Sequence, residues 1–128
     1  MARAQAHIGT TRYAVSIKAG HHELKADEGA ALGGQDTGPA PYELLLSALG
    51  ACTAITLKMY AERKEWDLQQ AHVSLLYRRE SDQGVIERTL TFDGGLDEAQ
   101  KARLADIAER TPVTLTLKSG NTINTKLG

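Results

Sequence analysis

One thiol is available for chemistry in this chain: Cys52 is the only cysteine among 128 residues. A thiolate is a strong nucleophile and is reversibly oxidised, so a cysteine with space around it points to nucleophilic or redox chemistry. With no second thiol, no disulfide can close within the chain, which suits a reducing compartment and a cytoplasmic setting. Gly50 and Ala51 leave room beside the sulfur, although small residues also serve close helix packing, and a free cysteine is often an inert core residue. The histidines offer no ligand set. His21 and His22 are adjacent, and adjacent strand residues face opposite sides of a sheet. His7 and His72 stand alone. Neither a metal nor a cofactor is expected.

The element that must carry Cys52 is a long helix from Tyr42 to about Lys64. Its first four turns are apolar on nearly every face, and a helix of that kind should be buried. A chain of this length has little material to bury it alone, which is a first physical hint of a dimer. The helix turns polar at Glu62, Arg63 and Lys64, with its cations at the negative end of the dipole. Pro41 suits the first turn, where its missing N–H costs nothing.

Around this helix the pattern is mixed. Tyr13, Val15 and Ile17 alternate with Ala14, Ser16 and Lys18, Ala19-Gly20 is a turn signal, and Leu24 and Ala26 sit in a second strand, giving an N-terminal hairpin. Residues 29–41 are rich in Gly and Pro and read as an ordered loop. Val73, Leu75 and Tyr77 share one strand face, and Ser81 to Gly84 form a turn. Ile86, Leu90 and Phe92 share a face of the next strand. A second helix spans about Asp97 to Arg110, with Asp97 and Gln100 as a capping box. Residues 113–117 have β-branched alternation, which favours strand. Thr111-Pro112, however, is a good N-cap followed by Pro at the first helical position. Ile123 and Leu127 point to a last strand.

The order predicts an α+β fold, ββ-α-ββ-α-α-β once residues 111–117 are taken as helix, in a single domain over residues 1–128. Hydrophobic content of 41% and charged content of 24% are ordinary for a soluble protein. A formal net charge of -1 with scattered basic residues argues against nucleic acid and anionic membranes as partners. The N-terminus has no apolar run of the secretory kind. The longest apolar stretch, from Leu44, is broken by Ser47, Gly50, Thr53 and Thr56 and falls short of the roughly 18 consecutive apolar residues of a membrane span.

The segment 38–53, GPAPYELLLSALGACT, resembles the signature of the OsmC/Ohr superfamily. Its continuation 58–66, KMYAERKEW, does so too, as do Ile86-Glu87-Arg88, Leu96-Asp97 and Thr111-Pro112-Val113. The resemblance covers nearly the whole chain. It implies an intertwined homodimer with two long central helices in its core and two sites at the interface. It also implies a thiol peroxidase in which Cys52 matches the cysteine that attacks an organic hydroperoxide.

The family's second, resolving cysteine precedes a Pro, and this chain has Thr111 there. Turnover would then need an external dithiol or redox protein to reach the oxidised cysteine directly. By the same resemblance, Arg12 is the candidate arginine that activates the thiol, and Glu43 the candidate glutamate, one residue after the family position, which here is Tyr42. Glu43 and Cys52 are nine residues apart, about two and a half turns at roughly 3.6 residues each, so they point to opposite faces of the helix. Glu43 would reach a Cys52 site most easily across a dimer. Thr111 and Tyr42, at family site positions, are candidate substrate contacts.

Two classes of function follow. One is a one-cysteine peroxidase acting on organic hydroperoxides or hydrogen peroxide. The other is a non-catalytic dimer that binds a small apolar molecule in the old site, which the loss of the resolving cysteine motivates. A structural stress protein with no site is a weaker third.

Overall fold

Val15, Ile17 and Ala19 are half-buried while Ser16 and Lys18 face solvent, and this period of two makes Val15–Ala19 (β2) the middle strand of an antiparallel sheet. Ala4–Ile8 (β1) and His22–Ala26 (β3) flank it in the order β1-β2-β3, with Ala6 opposite Ile17 and Ile17 opposite Leu24. The computed structural model describes residues 1–128, which divide into two compact units, Met1–Leu45 and Leu46–Gly128. The sheet belongs to the first unit.

Two expectations change there. Tyr13 lies in the turn before β2 rather than in the strand, which starts at Val15. The expected two-stranded hairpin gains a third strand, β1, whose five residues are all exposed and which is defined by its pairing with β2.

The loop after β3 makes one 3-10 turn at Ala30–Leu32 and leads to helix α1, Pro41–Arg63. The loop is folded tightly enough to demand glycine twice. A Cβ on Gly34 would fall 2.0 Å from the Glu28 carbonyl oxygen, and one on Gly38 would fall 2.6 Å from that of Lys25.

The second unit is built on the long hairpin of Asp67–Glu80 (β4) and Gln83–Gly95 (β5), joined by the two-residue turn Ser81-Asp82. Helix α1 lays one stripe on it. Leu49, Thr53, Leu57 and Ala61, spaced four residues apart, are its buried positions. Gly50 lets the helix come close, since a Cβ there would lie 2.9 Å from Cδ1 of Leu75 on β4. Leu57, Ala61, Leu68, Leu104 and Ala108 form the core cluster.

The other side of α1 is not covered. The stripe Ser47, Ala51, Ile55 and Met59 is exposed, with Ile55 and Met59 each at 55%. The expectation of an all-round buried helix therefore holds for one face of this chain. By length and composition α1 is apolar enough to cross a membrane, with a mean hydropathy of 1.5 over 18 residues, of which 22% are buried. The polar interruptions do not disqualify it on that test alone.

Helix α2, Glu98–Ala108, starts at the expected capping box: Asp97 accepts from the Gln100 N–H at 2.8 Å, and Gln100 accepts from the Asp97 N–H at 2.9 Å. Helix α3, Pro112–Ser119, takes the helical alternative for residues 111–117. Thr111 caps it and Pro112 opens it, and these local signals outweigh the β-propensity of the segment. No strand forms after it: residues 120–128 are irregular and Ile123 and Leu127 are exposed.

Candidate functional site

Cys52 is half-buried on α1. At about 100° per residue, it sits on the flank between the buried stripe through Thr53 and the exposed stripe through Ala51. Its Sγ lies 4.0 Å from Thr56 Oγ1, one turn on. The sulfur is therefore neither sealed in the core nor fully in solvent, and a hydroxyl stands next to it.

Thr111 is completely buried. Its hydroxyl accepts from the Thr114 N–H at 3.4 Å and shares a 2.6 Å hydrogen bond with the Thr114 hydroxyl. It is thus committed to starting α3, the structural alternative to a substrate contact. Tyr42 is 55% exposed in the first turn of α1. Next to it, Glu43 accepts the Ala40 N–H at 2.9 Å, as a carboxylate complementing a helix N-terminus does. Arg12 is exposed in the turn between β1 and β2. Arg12, Tyr42 and Glu43 belong to Met1–Leu45, while Cys52 and Thr111 belong to Leu46–Gly128.

The residue that ties the second unit's polar groups together is Arg88, which sequence reasoning missed as a functional candidate. Its side chain is 12% exposed. Nη1 donates to Thr53 Oγ1 at 3.0 Å and to Thr114 Oγ1 at 2.9 Å. Nη2 donates to the Ala108 carbonyl at 2.8 Å and to Glu109 Oε2 at 3.4 Å. One guanidinium on β5 thus joins α1 beside Cys52, the C-terminus of α2, and α3 at the partner of Thr111. Thr53 in turn donates to the Leu49 carbonyl at 2.7 Å. The missed signal was positional: Arg88 fills an inward slot in the alternation Ile86, Arg88, Leu90, Phe92. Arg88 also lines a cavity of about 590 Å3 together with the apolar Leu49, Ile86 and Leu117 and the charged Glu109 and Lys118. The Glu109 carboxyl is held below its ordinary value, first by Lys118 and then by Arg88.

The first unit has a polar centre of its own. Asp27 is 2% exposed and accepts four hydrogen bonds: from the N–H of Tyr13 at 3.2 Å, of Glu28 at 2.7 Å and of Thr37 at 3.1 Å, and from the Thr37 hydroxyl at 2.6 Å. The Thr37 hydroxyl is the largest cause holding its carboxyl far below the ordinary carboxylate range, with burial opposing. No group of three or more His, Cys, Asp or Glu side chains is arranged to hold a metal ion.

Three helices and two antiparallel sheets in this order define an OsmC-like α+β fold. The chain belongs to the OsmC family, whose model, described as OsmC-like protein, matches residues 34–126. Solved structures agree on the fold. An OsmC-like protein from Mycoplasma pneumoniae superposes with a TM-score of 0.80 at 16% identity, over 92% of this chain and 87% of that one. An organic hydroperoxide resistance protein OsmC from Legionella pneumophila gives 0.64 at 21% identity, over 92% and 89%. An organic hydroperoxide resistance protein from Elizabethkingia anophelis gives 0.61 at 18% identity, over 85% and 81%. No curated protein sequence matches the chain.

Proposed function

We propose that this protein is a thiol-dependent peroxidase that reduces organic hydroperoxides or hydrogen peroxide with Cys52 as its one redox cysteine. The observation that carries the proposal is the placement of Cys52: half-buried on the central helix of an OsmC-family chain, at the border of an exposed apolar stripe. The likeness in fold to organic hydroperoxide resistance proteins supports the same reading.

In the proposed reaction the Cys52 thiolate attacks one peroxide oxygen. An S–O bond forms, the O–O bond breaks, and the leaving alkoxide takes a proton to become an alcohol. Cys52 is left as sulfenic acid. One thiol of an external dithiol then displaces water to form a mixed disulfide, and its second thiol releases Cys52 as the thiol. Arg12 favours the thiolate by its charge, with Glu43 and Tyr42 at the helix start orienting the peroxide. A second copy of the chain covers the Ala51, Ile55 and Met59 stripe, forming a homodimer with Cys52 at the edge of its interface.

A second reading is a dimeric binding protein for a small apolar molecule. One observation favours it: the hydroxyl of Thr111, where a resolving thiol would stand, is buried and committed to capping α3.

Hydroperoxide consumption by the purified protein with excess dithiol, beside Cys52→Ser, separates the two. Turnover lost in Cys52→Ser, and faster recycling in Thr111→Cys, is the expected result. No turnover, a thiol still free after peroxide, and a melting shift with apolar ligands would establish the binding protein instead.

A further inference from the structure

The cavity beside Arg88 holds more positive charge than its own carboxylates answer. Arg88 and Lys118 both line it, and both turn to Glu109: Lys118 Nζ meets Oε1 at 3.0 Å, and Arg88 Nη2 meets Oε2 at 3.4 Å. The other carboxylate of the lining, Glu87, is engaged by Arg78 at 2.6 Å. The remaining acceptors of Arg88 are neutral, the hydroxyls of Thr53 and Thr114 and the carbonyl of Ala108. Its side chain is 12% exposed, so this guanidinium is kept mostly from water with one long contact to an opposite charge. A cation in that setting favours a further anion.

Donors are left over as well. A guanidinium carries five N–H groups and an ammonium three. Arg88 spends its Nη1 and Nη2 hydrogens inside the chain and its Nε–H on nothing. Lys118 spends two of its hydrogens, both on Glu109, at the carboxylate and at the carbonyl. One spare donor on each of two cations matches the two oxygens of a carboxylate. Leu49, Ile86 and Leu117 supply apolar surface beside them, and a volume of about 590 Å3 is of the size that takes small organic ligands. All of these residues belong to the unit Leu46–Gly128.

We propose that this cavity binds a small monocarboxylate, an apolar chain or ring bearing one carboxylate. Its oxygens take the spare donors of Arg88 and Lys118, and its apolar part lies on Leu49, Ile86 and Leu117. Two cations against the one carboxylate of Glu109 leave a single positive charge, which a monoanion neutralises and a phosphate dianion overshoots. The site does not use Cys52, so it stands whether or not the protein reduces peroxides.

The test is isothermal titration of the full chain with sodium octanoate at neutral pH, beside octanol and inorganic phosphate. The variants are Lys118→Gln, Glu109→Gln, Leu117→Gln and, on the exposed stripe of α1, Ile55→Gln. Lys118 and Glu109 are 55% and 59% exposed, so changing them alters recognition and leaves the core alone. Octanoate is expected to bind, and octanol to bind roughly tenfold more weakly or worse. Lys118→Gln should weaken octanoate roughly two- to fivefold, and Glu109→Gln, which removes the competing carboxylate, should tighten it by a similar factor. Leu117→Gln should weaken it and Ile55→Gln should leave it unchanged. No heat with octanoate overturns the proposal. So does octanol or phosphate binding as tightly as octanoate, or the absence of either charge effect. Loss of binding in Ile55→Gln with none in Leu117→Gln would place octanoate on the α1 stripe and overturn it too.

Discussion

Arg88 holds together parts of the chain that are far apart in sequence, and it does so with a charge kept mostly from water. Removing the guanidinium leaves the Ala108 carbonyl and two buried threonine hydroxyls short of a donor. Arg88→Met is expected to cost about 2–3 kcal/mol in urea unfolding. Arg88→Lys should recover only part of this, because an ammonium cannot reach three acceptors with a planar fork.

Asp27 makes a prediction in acid. Its folded carboxyl lies below its ordinary 3.8, so the stability it brings is present above about pH 4. That contribution is lost as pH falls toward the folded value. Chemical unfolding between about pH 4 and 2 should show a flatter decline for Asp27→Asn than for the parent. Asp27 carries no local signal in the sequence, and Arg88 carries only its slot in the alternation Ile86, Arg88, Leu90, Phe92. A lone arginine in a strand and an aspartate before a Gly-rich loop both read as solvated, and their partners become neighbours only in the fold. Cys52 and Thr111 were legible because a single cysteine and a Thr-Pro pair carry local signals.

Helices were better announced than strands. The capping box of α2 involves residues three apart, so it could be read directly, and it forms as written. Asp97→Ala is expected to lower stability by about 1 kcal/mol, read as a shift of the thermal midpoint. The helix α3 shows local capping prevailing over intrinsic preference: Val113, Thr114 and Thr116 favour strand, yet Thr111 and Pro112 start a helix and Gly120, at φ 75, ends it. Strands need partners as well as patterns. Residues 123–127 have apolar residues but form no strand, whereas Ala4–Ile8, whose Ala-Gln-Ala-His-Ile alternation is weak and buries nothing, becomes a strand because β2 offers it an edge.

At the scale of the molecule, the stripe of Ala51, Ile55 and Met59 is an apolar face that one chain leaves exposed. A charge placed there does not touch the core of the unit, so Met59→Glu should fold normally. It is expected to convert a dimer to a monomer in sedimentation equilibrium, and an unchanged mass would remove the proposed interface.

The hairpin of β4 and β5 has a further consequence, for the order in which the second unit assembles. Its strands are joined by two residues, so closing the loop costs little entropy, and such hairpins form in about 1–10 μs. Helix α1 precedes the hairpin and α2 and α3 follow it, and all three meet Arg88, which the hairpin carries at its centre. The hairpin is expected to form first as a template and the guanidinium contacts to lock it late, which unfolding and refolding rates of Arg88→Met would check. Weakening that lock shortens the lifetime of the native state far more than it delays its formation.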